Sequence, residues 1–160
     1  MVRKRVVVQQ IHVIVSAVLL DRQKRVLLVR EAANKPYSQA KNRWSFPGGW
    51  LEPGETLWQT FQRELLEETG HQAQIAGLAK IYYWVNQDNS VVFVYVFLAK
   101  NPKKVTDKLA KDILETKWFI QNEVLALFAQ KKMRPDLRDL QAYKNALAGK
   151  VVPLEIFGKC

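Results

Sequence analysis

Three glutamates lie close together in the sequence, at a spacing that suits metal chemistry. Glu67 and Glu68 follow Glu64 by three and four residues, which places all three on one arc of a helix. Like charges at this spacing repel each other, and the C-terminal end of a helix disfavours acids. Mg²⁺ would resolve that conflict, because it takes oxygen ligands and keeps water and substrate phosphates in its shell. We therefore predict that the three carboxylates converge on one point. The alternative is a solvated acidic face that Arg63 partly neutralises by pairing with Glu67.

A helix spanning Thr56 to Thr69 is predicted to carry these glutamates. Thr56 and Gln59 form a capping-box pattern at its start, and Gly70 is suited to end it. One stripe of the helix, about 100° wide, is apolar and should face the core. This stripe consists of Leu57, Trp58, Phe61 and Leu65.

A longer pattern surrounds the helix. It has a glycine, five residues, a glutamate, seven residues, an arginine and a glutamate, an apolar residue, any residue, two glutamates, any residue and a glycine. The matching residues are Gly49, Glu55, Arg63, Glu64, Leu65, Glu67, Glu68 and Gly70. Seven fixed residue types at about 6% usage each would match by chance with a probability on the order of 10⁻⁹. The pattern resembles the signature of the Nudix hydrolases, with His71 in place of a final aliphatic residue.

That resemblance implies the hydrolysis of a nucleoside diphosphate linked to another group X, with water attacking phosphorus. It also implies that Mg²⁺ or Mn²⁺ is held by Glu64, Glu67, Glu68 and the main-chain carbonyl of Gly48. Glu55 and Arg63 would orient the helix and the loop before it, as partners of metal ligands do. We expect Glu64 to assist deprotonation of the water, although family members differ in which carboxylate does so. Relatives often add a later acid, and the candidates here are Asp107, Asp112 and Glu115.

Substrate contacts are expected from aromatic and basic side chains. Aromatic rings can stack on a base, and the candidates are Trp44, Trp50, Tyr82 and Trp84. Tyr82 and Trp84 should share one face of a strand, and core packing is the alternative for each ring. In the polar loop Glu31–Arg43, Lys35 and Arg43 are candidates for phosphate contacts or are ordinary solvated charges. We assign no chemistry to His12, which is expected to be structural, or to His71, which has no evident partner.

The remaining elements predict how the site is positioned. Strands are expected at 6–9, 12–20, 25–30, 74–85, 91–100 and 116–120, and helices at 122–130 and 136–148, the last opened by Pro135. With a chain of 160 residues, this order predicts one domain, residues 1–160, of the mixed α/β or α+β class. The resemblance implies a Nudix-type α/β/α sandwich with a mixed sheet.

The composition of the chain limits which binding partners and which cellular location we expect. The formal charge of +10, from 25 basic and 15 acidic residues, favours phosphorylated partners, but a lysine-rich surface is the plain alternative. Cys160 is the single cysteine, which excludes an intrachain disulfide and fits a cytoplasmic setting. Val6–Leu20 is too short and too polar to span a membrane.

Two other functions stay open from the sequence. One is a pyrophosphohydrolase that acts on the 5′ end of RNA, since the chain is basic and begins with an Arg3 to Arg5 run. The other is a catalytically silent Nudix-fold module that binds nucleotides. The sequence selects neither a particular substrate nor an oligomeric state, and a homodimer is one of the options.

Overall fold

The computed structural model describes residues 10–32 and 40–158, which form four strands, a helix, three further strands and two helices in chain order. The elements are β1 (Ile11–Leu19), β2 (Val26–Glu31), β3 (Trp44–Ser45), β4 (Gly48–Trp50), α1 (Leu57–Thr69), β5 (His71–Val85), β6 (Val91–Lys104), β7 (Ile113–Phe119), α2 (Gln121–Ala129) and α3 (Leu137–Leu147). A short 3₁₀ helix, Leu154–Phe157, follows α3. None of the helices within the described ranges is long and apolar enough to cross a membrane.

Two sheets organise these strands. The larger one has the order β4-β1-β6-β5, and it is mixed because β1 and β6 run parallel while its other pairs are antiparallel. The smaller one has the order β3-β2-β7 and is antiparallel. The predicted mixed sheet and α/β/α arrangement are confirmed, and the second sheet is a detail that the sequence did not indicate.

The central strand β1 shows why the helices lie on both sides of the sheet. Val15 and Leu19 belong to a buried cluster with Phe61 and Leu65 of α1. Val18 belongs to a second buried cluster, together with residues of α3. Successive side chains of a strand point to opposite faces, and a strand covered on both faces is apolar throughout. The helix with the glutamates is therefore fixed against one face of β1.

Four predicted boundaries are wrong, and each error has a structural reason. β5 begins at His71 rather than residue 74, and β6 continues to Lys104, because His71 pairs with Lys104 across the sheet. β7 begins at Ile113 rather than residue 116, because it pairs with β2 as far as Glu31. The last helix is opened by Asp136, whose side chain accepts a hydrogen bond from the backbone N–H of Arg138, so Pro135 precedes the cap.

Some predictions fall on residues outside the described ranges. They concern the strand at 6–9, the basic run at Arg3 to Arg5, most of the polar loop with Lys35, and Cys160.

Candidate active site

Helix α1 begins and ends where its local signals predict. Thr56 Oγ1 accepts a hydrogen bond from the Gln59 N–H at 3.2 Å, and Gln59 Oε1 accepts one from the Thr56 N–H at 2.8 Å. Gly70 ends the helix with a left-handed φ of 69°, and its N–H donates to the Leu66 carbonyl. Both ends and the buried stripe are thus fixed, so the direction of the glutamate face is fixed as well.

The turn at Gly48 and Gly49 lies directly against this glutamate face. Strand β4 pairs with β1, with Gly49 opposite Val15. The Gly48 N–H donates to Glu68 Oε2 at 2.9 Å. A side chain at residue 49 would overlap the Glu64 carboxylate, so the glycine lets that carboxylate lie directly against the backbone of the turn. The structure therefore places Gly48 and Gly49 against Glu68 and Glu64.

Arg63 joins the helix to the loop before it and to β4. Its Nε and Nη2 donate to the two oxygens of Glu55 at 2.7 and 2.9 Å. Its Nη1 donates to Glu64 Oε1 at 2.7 Å, and Nη2 also donates to the Trp50 carbonyl at 2.9 Å. Two-pronged contacts of this kind fix direction as well as distance. Arg63 thus connects α1 to Glu55 in the loop before it and to the backbone of β4.

The pair of Arg63 and Glu55 stays ionised over a wide pH range. Hydrogen bonds from Arg63 lower the pKa of Glu55 to about 2, against the opposing effect of burial. The same bonds raise the pKa of Arg63 above its usual value. The Thr60 hydroxyl adds a further bond to Glu55 Oε2 at 2.8 Å, a contact that the sequence pattern did not reveal. The position of Thr60, one turn after the N-cap residue Thr56, is the sequence feature from which this contact could have been predicted.

The three glutamates of α1 have different surroundings in the structure, and their convergence on a metal ion stays a prediction. Among residues 10–32 and 40–158, no group of three or more acidic, histidine or cysteine side chains is close enough to hold a metal ion. Glu68 is buried, whereas the side chain of Glu67 is 54% exposed and that of Glu64 is 13% exposed. Like charges repel, and Glu64 and Glu68 instead accept hydrogen bonds from separate donors, Arg63 and the Gly48 N–H.

The alternative pairing of Arg63 with Glu67 is present but loose. Arg63 Nη1 lies 3.6 Å from Glu67 Oε2, compared with 2.7 Å from Glu64 Oε1. An exposed pair at this distance contributes little to stability. The main partners of Arg63 are therefore Glu55 and Glu64.

The three later acids occupy different surroundings. The loop that carries Asp107 and Asp112 packs on the end of α1, where the Ala110 N–H donates to the Glu67 carbonyl at 2.7 Å. Asp107 has a fully exposed side chain 3.5 Å from Lys104 Nζ. Glu115 lies in β7, and its carboxylate accepts a hydrogen bond from Arg30 Nε at 2.8 Å.

The four aromatic candidates do not gather around the glutamates. Trp50 is 53% exposed, and its carbonyl is bonded to Arg63, so it lies beside the site. Trp44 is half-buried and packs edge-on against Phe119 at 4.8 Å. The candidate phosphate contact Arg43 precedes Trp44 and is half-buried as well.

Tyr82 and Trp84 share one face of β5, as predicted, with their rings 6.4 Å apart. Tyr82 is buried, and its hydroxyl donates to Asp139 at 2.8 Å. A ring enclosed in this way cannot stack on a base, so core packing is the correct interpretation for Tyr82. Trp84 is half-buried next to it, with the Arg138 guanidinium 5.4 Å from its ring.

Both histidines have partners. His12 packs edge-on against Trp50 at 5.6 Å, which places it near the site. His71 is buried, its Nδ1 lies 2.8 Å from the Thr69 carbonyl oxygen, and its ring is edge-on to Trp118 at 6.0 Å. The expectation that His71 has no partner is therefore wrong, because its partners lie at the helix end and on a strand distant in sequence.

Comparison with known proteins agrees with this geometry. A family model described as the NUDIX domain matches residues 10–141. The phosphatase NudJ of Escherichia coli K12 is 29% identical over 150 residues, covering 92% of this chain and 90% of that protein. The mouse protein "nucleoside diphosphate-linked moiety X motif 6" is 40% identical over 67 residues, or 42% of this chain, and this stretch is only 20% of its own length. The structure of a NUDIX hydrolase from Nitrosomonas europaea superposes with a TM-score of 0.77 at 29% identity, covering 94% of this chain and 98% of that one. The chain belongs to the Nudix hydrolase family.

Proposed function

We propose that this protein is a divalent-metal-dependent pyrophosphohydrolase that cleaves a nucleoside diphosphate linked to another group X. The observation that carries the proposal is the contact between the glutamate face of α1 and the Gly48–Gly49 turn. Glu68 accepts a hydrogen bond from the turn, and Glu64 lies where any side chain at residue 49 would be. The name of the bacterial relative NudJ as a phosphatase supports phosphorus chemistry.

The residues present have the chemistry that a hard cation needs. Glu64, Glu67 and Glu68 offer carboxylate oxygens, and Gly48 offers a backbone carbonyl beside them, which suits Mg²⁺ or Mn²⁺. Such an ion, when bound, neutralises phosphate charge and lowers the pKa of a water molecule. Because Glu67 is more than half exposed, its side chain has room to turn toward Glu64 and Glu68.

The protein's own residues would divide the remaining tasks. Arg63 and Glu55 fix the helix against the loop, and Arg63 also orients the Glu64 carboxylate. Glu64 is our choice for the group that takes a proton from the attacking water, because it is held in place and still partly exposed. Trp50 offers an exposed ring beside Arg63, which suits contact with a base or with the group X.

Substrate screening tests this function directly. Purified protein with Mg²⁺ is incubated with ADP-ribose, dinucleoside polyphosphates, nucleotide sugars and oxidised nucleoside triphosphates, and released phosphate or diphosphate is measured. We expect at least one of these classes to be cleaved, and cleavage to stop when EDTA is added. A module that only binds nucleotides would bind these compounds without product release.

A pair of glutamate variants then tests the site. Glu68→Gln keeps a side-chain oxygen for the Gly48 N–H but removes the negative charge, so the fold should persist while turnover is lost. Glu155→Gln removes the same charge at an exposed position of the 3₁₀ helix and should leave turnover unchanged. Full activity in Glu68→Gln would contradict the site assignment.

A further inference from the structure

Basic side chains from two distant segments meet at the end of the molecule where β1 leaves the larger sheet. Strands β1 and β6 run parallel, with Leu19 opposite Ala99, and the Leu20 N–H donates to the Ala99 carbonyl at 2.9 Å. The turn after β1 and the last residues of β6 therefore lie side by side. They carry Arg22, Lys24, Arg25, Lys100, Lys103 and Lys104. The sequence showed only a net positive charge, whereas the fold gathers part of it at one place.

A cavity of about 520 Å³ lies at this basic end. Its walls include Arg22, Arg25, His71, Lys104 and Trp118. Cavities that bind small molecules commonly have volumes of roughly 300–1,000 Å³ and combine apolar walls with a few polar groups. The size and the lining therefore suit a small anionic ligand with an apolar part.

The basic side chains of this cavity differ in how strongly they already interact with other residues of the protein. Arg25 is paired with Asp21 at 2.7 Å, and its guanidinium lies 5.9 Å from the Trp118 ring. Its charge is therefore already engaged by other residues of the cavity wall. Lys104 is 43% exposed, 3.3 Å from the Thr69 carbonyl oxygen and 3.5 Å from Asp107. Arg22 is exposed. Arg22 and Lys104 are thus the cations best placed to receive a phosphate.

His71 adds a hydrogen-bond acceptor to the same cavity. Because Nδ1 lies against the Thr69 carbonyl oxygen, Nδ1 carries the proton and Nε2 keeps its lone pair in the neutral ring. Burial lowers the pKa of His71, and the charge of Lys104 lowers it further, against the Thr69 bond. A neutral Nε2 accepts a hydrogen bond from a hydroxyl or amino group, which a nucleoside has and a sulfate dianion lacks.

We propose that this cavity binds a nucleoside phosphate, at a site separate from the carboxylates of α1. Arg22 and Lys104 bind the phosphate, His71 Nε2 accepts a hydrogen bond from the sugar or base, and Trp118 forms the apolar wall. The two sites lie at different points along β1. Gly48 is opposite Ser16, and Leu20 is four residues further on, which is about 13 Å of extended strand.

Binding of AMP to the whole protein in EDTA tests this proposal, with isothermal titration calorimetry as the measurement. Arg22→Ala and Lys104→Ala should each weaken AMP binding by about tenfold, the loss typical of one charge-assisted hydrogen bond. Lys132→Ala removes an exposed lysine away from the cavity and should leave the Kd unchanged. Glu68→Gln should leave it unchanged too, because the α1 carboxylates take no part.

The variant His71→Phe distinguishes recognition of the nucleoside from recognition of the phosphate. The variant keeps an aromatic ring beside Trp118 but loses the acceptor, so AMP binding should weaken while binding of inorganic sulfate, which has no donor, is unaffected. Quenching of tryptophan fluorescence by AMP should disappear in Trp118→Phe. The proposal is overturned if AMP shows no saturation at about 10 mM, which would detect even millimolar affinity. It is equally overturned if Arg22→Ala and Lys104→Ala bind AMP as the wild type does, or if His71→Phe leaves AMP binding intact.

Discussion

Two clusters of this molecule combine arginine with carboxylates, and they are built differently. In the buried network of Tyr82, Arg134 and Asp139, the guanidinium donates to Asp139 Oδ2 at 2.6 and 2.9 Å and to the Tyr82 hydroxyl at 3.0 Å. The Tyr82 hydroxyl in turn donates to Asp139 Oδ1. Asp139 is 1% exposed. The single carboxylate of this network is thus hydrogen-bonded to one arginine and one hydroxyl.

In the glutamate cluster around Arg63, one guanidinium is shared by four carboxylates. They lie between 2.7 and 3.9 Å from it and belong to Glu52, Glu55, Glu64 and Glu67. Two of them are more than half exposed. Removing charges from water is tolerated when each is paired and hydrogen-bonded, which the buried network achieves. The glutamate cluster keeps an excess of negative charge near solvent, and such departures from local preference are expected at functional sites.

The largest expected effect comes from breaking the buried network. Arg134→Met leaves the buried Asp139 without its cation, which should lower the free energy of unfolding by about 3–5 kcal/mol. Arg25→Met breaks the exposed pair with Asp21 and should cost no more than about 1 kcal/mol. Urea unfolding measures both. A loss below 1 kcal/mol in Arg134→Met would show that the network is not the stabilising element we describe.

Two buried tyrosines, one with a bonded hydroxyl and one without, test how much hydrogen bonding in the buried network contributes to stability. Tyr82→Phe removes a hydroxyl that is bonded to a charged pair and should destabilise the protein by about 1.5–3 kcal/mol. Tyr143→Phe removes a buried hydroxyl that has no hydrogen-bond partner among the described residues, so stability should stay the same or rise by up to about 1 kcal/mol. Equal losses in the two variants by thermal or urea unfolding would contradict this contrast.

A smaller effect is expected from acid. The pKa of Glu55 is lowered from 4.5 to about 2, mainly by Arg63, so the folded state favours the ionised form. The stability from this pair is complete above pH 4.5 and is lost as the pH falls toward 2. Carbon-detected NMR of the Glu55 carboxyl should show the low pKa, and Arg63→Met should return it toward 4.5. A normal pKa in the wild type would contradict the tight pair.

The smallest effect on stability belongs to Glu67. Glu67→Gln removes a like charge that is largely exposed, so the protein without metal should gain only a few tenths of a kcal/mol. With Mg²⁺ and a nucleoside diphosphate present, the wild type should gain thermal stability through binding to the folded state, and the variant should gain less. An equal gain in both proteins would mean that Glu67 does not take part in holding the ion.

The sequence predicted local features well and distant pairings poorly. Both ends of α1 were predictable because the cap of Thr56 and the stop at Gly70 act within one turn of the helix. The end of β6 was not predictable, because the polar residues before Lys104 join the sheet only through pairing with β5. Boundaries that depend on a remote partner carry no local signal.

The predictions for the candidate site divide in the same way, into local features that were predictable and distant contacts that were not. The spacing of Glu64, Glu67 and Glu68 placed them on one arc of α1, and the family pattern named the turn beside them. The sequence could not show that Glu68 bonds to the Gly48 N–H, because that contact depends on the pairing of β4 with β1. It also could not show which acids share Arg63, because side chains of equal reach compete for that guanidinium.

Calorimetric titration of Mg²⁺ into the protein, with a non-hydrolysable nucleoside diphosphate analogue present, measures whether the α1 glutamates bind the cation. We expect saturable uptake by the wild type and by Glu155→Gln, and a loss of that uptake in Glu68→Gln, which should remain folded by circular dichroism. Undiminished uptake in Glu68→Gln, or none in the wild type, would contradict the claim that the carboxylates of α1 hold the ion.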